Sequence, residues 1–178
     1  MTTSTLPAEA GHLVRIEGGW ELRFERRLRH DIERVWAALT TPEGLACWLA
    51  EAKLELEPGG EMSLNFRQPD HEFMPDTPER RRQSNTVLEV VPPRLFRHTF
   101  GSNPDSVVTW RLTPDGDGTH LSLTHVIPES WRDARRNVLS GWHYHMEGLD
   151  DAALGRRRLW VWDEWFALRD AYGATLED

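Results

Sequence analysis

The chain has one cysteine, Cys47. A lone thiol cannot close an intramolecular disulfide, and a zinc site built from several cysteines is excluded. Lying between Ala46 and Trp48, it reads as a small buried hydrophobe. No apolar run reaches the length of a membrane span. The first residues carry neither the basic start nor the apolar stretch of a secretory signal, so a cytoplasmic protein is expected. Positive charge is scarce. Lys and Arg total 21 against 29 Asp and Glu, a net charge of -8. That field repels a phosphate backbone, so nucleic acid is not an expected partner. The runs Arg80–Arg82 and Arg156–Arg158 read as solvated loop or strand ends. There is no Gly-x-Ser-x-Gly elbow, phosphate loop or His-Glu-x-x-His motif, and hence no reaction that a motif names.

Tryptophan, by contrast, is plentiful, with nine in 178 residues. Each joins a wide apolar body to one N–H donor, the kind of ring that fills cores and also lines cavities and interfaces. The length suits one domain with a real core. Residues 1–14 are expected to be a flexible tail and 15–178 a single domain.

From Trp20 the pattern alternates through Leu22, Phe24 and Leu28, a half-buried strand. Arg26 falls on the apolar parity and is its odd member. Asp31 is a plausible N-cap for a short helix, and Pro42 starts another. Alternating runs around Pro58-Gly59-Gly60 predict a hairpin. Gln68–Ser84 is a long polar loop with Phe73 and Met74 at its centre, either a flap or an anchored strap. Further strands are predicted at 86–91, 95–100, around Val108–Leu112 and at 121–125. Short connections make the pairing antiparallel. Two helical pieces follow, Asn137–Leu154 and Leu159–Leu176.

Five strings in this order carry a resemblance. They are the stretch from Ile32-Glu33-Arg34-Val35-Trp36 through Thr41-Pro42-Glu43-Gly44-Leu45 to Trp48; Leu56-Glu57-Pro58-Gly59-Gly60; Val87 to Leu95 with its Val-Val-Pro-Pro-Arg; Leu121-Ser122-Leu123-Thr124-His125; and Gly141-Trp142-His143. The chain resembles the START-like, or SRPBCC, superfamily, and within it the bacterial branch of the activator-of-heat-shock-protein-90-ATPase-like domain. The resemblance implies an α+β helix-grip fold, as in the birch allergen. A curved antiparallel sheet of six to seven strands would wrap a long C-terminal helix, with two short helices after the first strand and an extra C-terminal helix. It implies a cavity for a small hydrophobic or amphipathic molecule. Polyketide cyclases and aromatases of related fold do chemistry in that cavity. Chaperone activation is not carried over, because the eukaryotic co-chaperone uses a further N-terminal domain.

Strand parity on such a fold proposes the cavity lining. The sheet would contribute Phe66, Phe96, His98, Phe100, Val108 and Trp110. It would also contribute Leu121, Leu123 and His125. The helix would add Trp142, His145 and Leu149. His98, His125 and His145 are the polar points and could together hold a ligand's carbonyl or hydroxyl. With Glu89 and Arg26 they are the candidates for acid–base work. No catalytic residue, metal site or cofactor is assigned. Binding a small hydrophobic molecule is the expected function. A cyclase-, aromatase- or hydrolase-type enzyme, and an interaction or homodimerisation module using Trp160, Trp162 and Trp165, are the alternatives.

Overall fold

The computed structural model describes Leu6, residues 8–173 and Leu176. Eight strands form one open antiparallel sheet in the order β1-β2-β8-β7-β6-β5-β4-β3. They are β1 (His12–Ile16), β2 (Gly19–Leu28), β3 (Glu51–Leu54), β4 (Glu61–Asn65), β5 (Arg82–Val91), β6 (Leu95–Thr99), β7 (Val107–Asp115) and β8 (Gly118–Pro128). Helices α1 (Ile32–Thr40) and α2 (Pro42–Trp48) follow β2, and the one-turn α3 (Pro78–Arg81) precedes β5. After β8 a 3-10 turn (Glu129–Ala134) leads into α4 (Arg135–Met146), α5 (Leu149–Ala152) and α6 (Trp162–Gly173). This is the helix-grip arrangement.

The alternation read along β2 sets the inner face. Leu22, Phe24, Arg26 and Leu28 are buried, and the residues between them face out. Register then aligns the neighbours: Phe24 lies opposite Leu123, Leu123 opposite Trp110, and Trp110 opposite Phe96. Each fully buried leucine on this belt contributes roughly 1.5–3 kcal/mol by leaving water. Asp31 caps α1 by accepting from Arg34 N at 2.9 Å, and Thr41 caps α2 by accepting from Gly44 N at 3.0 Å. Gly44 must be glycine there, since a Cβ would stand 2.4 Å from the Ala37 carbonyl oxygen.

Three expectations change. The tail does not extend to residue 14, because His12 to Val14 belong to β1, paired with β2. Residues 1–5 and 7 of that tail lie outside the described residues. β1 is also the strand that raises the count from seven to eight. The helix expected over 137–154 breaks at Glu147, where Gly148 N bonds to His145 O at 3.0 Å and the turn tightens. The second helical piece starts at Trp162 rather than Leu159, and residues 174–175 at its expected end lie outside the described residues.

Candidate functional site

The centre of the sheet meets α2 and α4 without a gap. Trp48 packs edge-on against Trp110 with centroids 5.7 Å apart, and Trp110 against Trp142 at 5.4 Å. The open space lies toward one end, where the 66–81 segment and α6 close over α4. A cavity of about 250 Å³ opens there. Phe66 and Phe100, just past the ends of β4 and β6, form one wall, with Val138, Gly141 and Trp142 of α4 and Trp165 of α6 opposite. Gln68, Met74 and Arg80 roof it. Leu49, His145 and Trp160 form the end wall. Among the described residues no carboxylate lines this cavity, although acids outnumber bases in the chain.

The roof is an anchored strap. Trp162 Nε1 donates to Pro69 O at 2.9 Å, and His71 lies on Trp162 at 5.1 Å. Phe73 stacks on Trp165 and Phe166, each at 5.4 Å, with the Arg169 guanidinium over its ring. Trp162 and Trp165 are thus used inside the molecule. Leu159, 72% exposed, is the outstanding apolar residue on the surface nearby.

A second hollow of about 210 Å³ sits behind the end wall, between the C-terminus of α2, Arg67 and residues 157–160. It shares Leu49, Gln68, His145 and Trp160 with the first. A broader polar concavity of about 680 Å³ over β3, β4 and the start of β5 has, among the described residues, no aromatic one in its lining.

The family described as Activator of Hsp90 ATPase homolog 1-like protein matches this chain over residues 29–153. The chain belongs to that family. Solved structures of the same fold agree. Protein BPP1335 from Bordetella parapertussis is 31% identical, with 97% of this chain and 96% of that one covered and a TM-score of 0.66. CalU16 from Micromonospora echinospora is 24% identical over 93% and 94%, with a TM-score of 0.67. DynU16, a protein of the dynemicin biosynthetic locus, is 22% identical over 74% of this chain and 46% of its own, with a TM-score of 0.59. No curated protein matches the chain.

In this member of the Hsp90-ATPase-activator-like family, four of the twelve proposed lining residues border the aromatic cavity: Phe66, Phe100, Trp142 and His145. The other eight do not. Phe96, Val108, Trp110, Leu121, Leu123 and Leu149 are at most 2% exposed and fill the core solidly. His98 and His125 are sealed in the same layer. Parity places a side chain on the inner face, but α4 lies directly on the middle of that face.

The histidines therefore do not converge on a cavity. His98 Nδ1 donates to Thr99 O at 2.8 Å, and its Nε2 accepts from Trp110 Nε1 at 3.1 Å. His125 Nδ1 accepts from Trp142 Nε1 at 2.9 Å, which leaves Nε2–H for Ser106 Oγ at 2.8 Å. Burial lowers the pKa of His98 to about 4 and of His125 to about 3. Both are neutral pins with no nitrogen to spare. His145 differs. Its Nδ1 donates to Trp48 O at 2.9 Å, and its Nε2 has no hydrogen-bond partner among the described residues. Burial lowers its pKa to about 4, so that nitrogen keeps its lone pair at neutral pH. Glu89 pairs with Arg97 at 3.3 Å and borders neither hollow. Arg26 is 6% exposed and reaches the Glu9 backbone carbonyl and carboxylate, fastening the N-terminal segment.

Sequence reasoning passed over one polar chain. The Tyr172 hydroxyl accepts from Gly11 N at 2.8 Å and donates to His143 Nδ1 at 2.6 Å. His143 Nε2 lies 3.3 Å from Glu147, which also pairs with Arg158 at 2.7 Å. The hydrogen bond from His143, and then Arg158, hold the Glu147 carboxyl below its ordinary pKa. Burial pushes Tyr172 up to about 12. The chain joins the N-terminal segment, α4 and α6, and none of Tyr172, His143 and Glu147 borders a hollow. Among the described residues, no group of three His, Cys, Asp or Glu side chains is placed to hold a metal ion, and no helix is long and apolar enough to cross a membrane.

Proposed function

We propose that this protein binds a small hydrophobic or amphipathic molecule in the aromatic cavity beneath the 66–81 strap. Gly141 carries the reading. It sits inside α4, where glycine costs roughly 1 kcal/mol relative to alanine. A Cβ built on it meets nothing within 4 Å among the described residues, so packing does not require the missing side chain. What the glycine preserves is the space in front of it, and that space is the cavity.

The size fits the proposal. A buried apolar cavity of about 150 Å³ accepts benzene, so about 250 Å³ suits a molecule of one or two rings. The walls offer ring faces and edges for stacking. Arg80, Gln68 and Asn137 supply polar contacts near the roof. DynU16, which shares the fold, comes from a biosynthetic locus, a setting in which such a pocket has a use.

The test fills the cavity from within. Gly141→Leu should abolish saturable quenching of tryptophan fluorescence by naphthalene-sized probes. It should also raise the melting temperature, because a good helix former replaces glycine in open space. Unchanged probe binding in the variant, or no saturable binding by the parent protein across a broad aromatic panel, would overturn the reading.

A further inference from the structure

The two hollows abut at His145 and Trp160, whose rings lie 5.1 Å apart. These residues leave opposite hydrogen-bonding capacities unused. His145 Nε2 is an acceptor, because its other nitrogen carries the proton given to Trp48 O. Trp160 Nε1 is a donor, and it is the one buried side-chain nitrogen or oxygen among the described residues without a partner. Folded proteins rarely leave such a donor unpaired, and each case calls for an explanation.

The backbone around Trp160 is well held. The Tyr144 hydroxyl donates to Leu159 O at 3.2 Å and accepts from Val161 N at 2.8 Å. Both neighbours of Trp160 are therefore pinned, and the segment is not helical. The indole ring rests on Tyr144 at 4.4 Å and packs edge-on against Trp162 at 5.3 Å.

A partner for this pair must donate to one ring and accept from the other over a short span. A carbonyl only accepts and cannot satisfy His145. An ionised carboxylate would set its lone pairs against the His145 lone pair. An ammonium group only donates. A hydroxyl does both with one atom. Resting on the pocket reading above, we propose that the two hollows are arms of one site that selects molecules bearing a neutral hydroxyl, which donates to His145 Nε2 and accepts from Trp160 Nε1. The indole N–H, now shut from the hollows, turns to meet that oxygen, and the rest of the ligand lies between Phe66, Phe100 and Trp142.

Three probes of one shape test this on the intact protein by calorimetric titration: 2-naphthol, 2-methylnaphthalene and 2-naphthoate. The expected result is that 2-naphthol binds about tenfold more tightly than 2-methylnaphthalene, the worth of one well-made buried hydrogen-bond pair. 2-Naphthoate should bind more weakly than 2-naphthol. Trp160→Phe keeps a ring but removes the N–H. It should shrink the preference for 2-naphthol over 2-methylnaphthalene by about threefold or more. His145→Leu should do the same by removing the acceptor. Equal, saturable binding of 2-naphthol and 2-methylnaphthalene overturns the hydroxyl assignment and leaves the pocket standing. Tightest binding by 2-naphthoate also overturns it and points to an anion held by arginine. No binding of any probe removes both the assignment and the pocket reading. The comparison of ligands on the parent protein decides the matter even if a variant does not fold.

Discussion

Lowering the pH from 7.5 to 5.0 should cost this protein much of its stability through three imidazoles, His98 and His125 sealed in the core and His145 half-buried beside the cavity. His98 and His145 have their pKa lowered to about 4 and His125 to about 3, each chiefly by burial. In the unfolded chain they titrate near 6.5. The sign follows from proton counting. Below 6.5 the unfolded chain takes up protons that the folded state refuses, so stability is full above that value and falls as the pH drops toward 4. At pH 5.0 all three are still neutral when folded, and the unfolded chain gains about 2 kcal/mol from each. Together that is about 6 kcal/mol, against a total of roughly 5–15 kcal/mol for a typical domain. Carboxylates held low by partners, such as Glu51, Glu129 and Glu147, act below their ordinary value of 4.5, so the window from 6.5 to 5.0 reports the histidines. Urea unfolding at half-unit intervals should show stability falling with a slope approaching about 4 kcal/mol per pH unit, the signature of three protons. His98→Gln can keep both hydrogen bonds of His98 and should remove about a third of that slope. A urea midpoint that holds constant from pH 7.5 to 5.0 would refute the reasoning, since it would require these rings to charge in place at little cost.

Two further outcomes follow from single contacts. Tyr172→Phe strips the partner from Gly11 N and from His143 Nδ1, and should cost about 1–3 kcal/mol in urea unfolding while speeding amide exchange at Gly11; a loss below about 0.5 kcal/mol would show that the chain from Tyr172 to Glu147 does not pin the N-terminal segment. Phe73→Ala removes the stacks on Trp165 and Phe166 that hold the strap, so trypsin should cut at Arg80–Arg82 several-fold faster with the melting temperature nearly unchanged. Equal cutting rates would mean that Trp162 and Pro69 suffice to hold it.

How much of this was legible in the sequence depends on what each signal measures. Alternation at Leu22, Phe24 and Leu28 reported a two-sided environment, and the sheet follows it. Even Arg26 obeyed the parity, with its charge met by Glu9 and by backbone carbonyls. β1 escaped because an edge strand that is mostly half-exposed imposes no strict alternation on His12–Ile16. The polar chain from Tyr172 to Glu147 escaped because no local pattern links residues 29 positions apart.

The cavity is the instructive case. Parity says which way a side chain points, but not whether another element lies against it. Trp110 and Phe66 sit on the same inner face, yet the first is locked between Trp48 and Trp142 while the second borders open space. The difference is set by events far along the chain. α4 ends at Met146, the backbone turns back at Gly155 with a φ of +71°, and Trp160 and Trp165 return to wall off the end of α4. One local sign of the hollow was present throughout: Gly141, a glycine next to Trp142 in the middle of a helical stripe. A helix interior tolerates glycine when something must come close to its backbone or when space must be kept. Among the described residues nothing comes within 4 Å of the missing side chain, which favours the second reason. The unpaired nitrogens of His145 and Trp160, two residues that border that space, are what the proposed preference for a hydroxyl rests on.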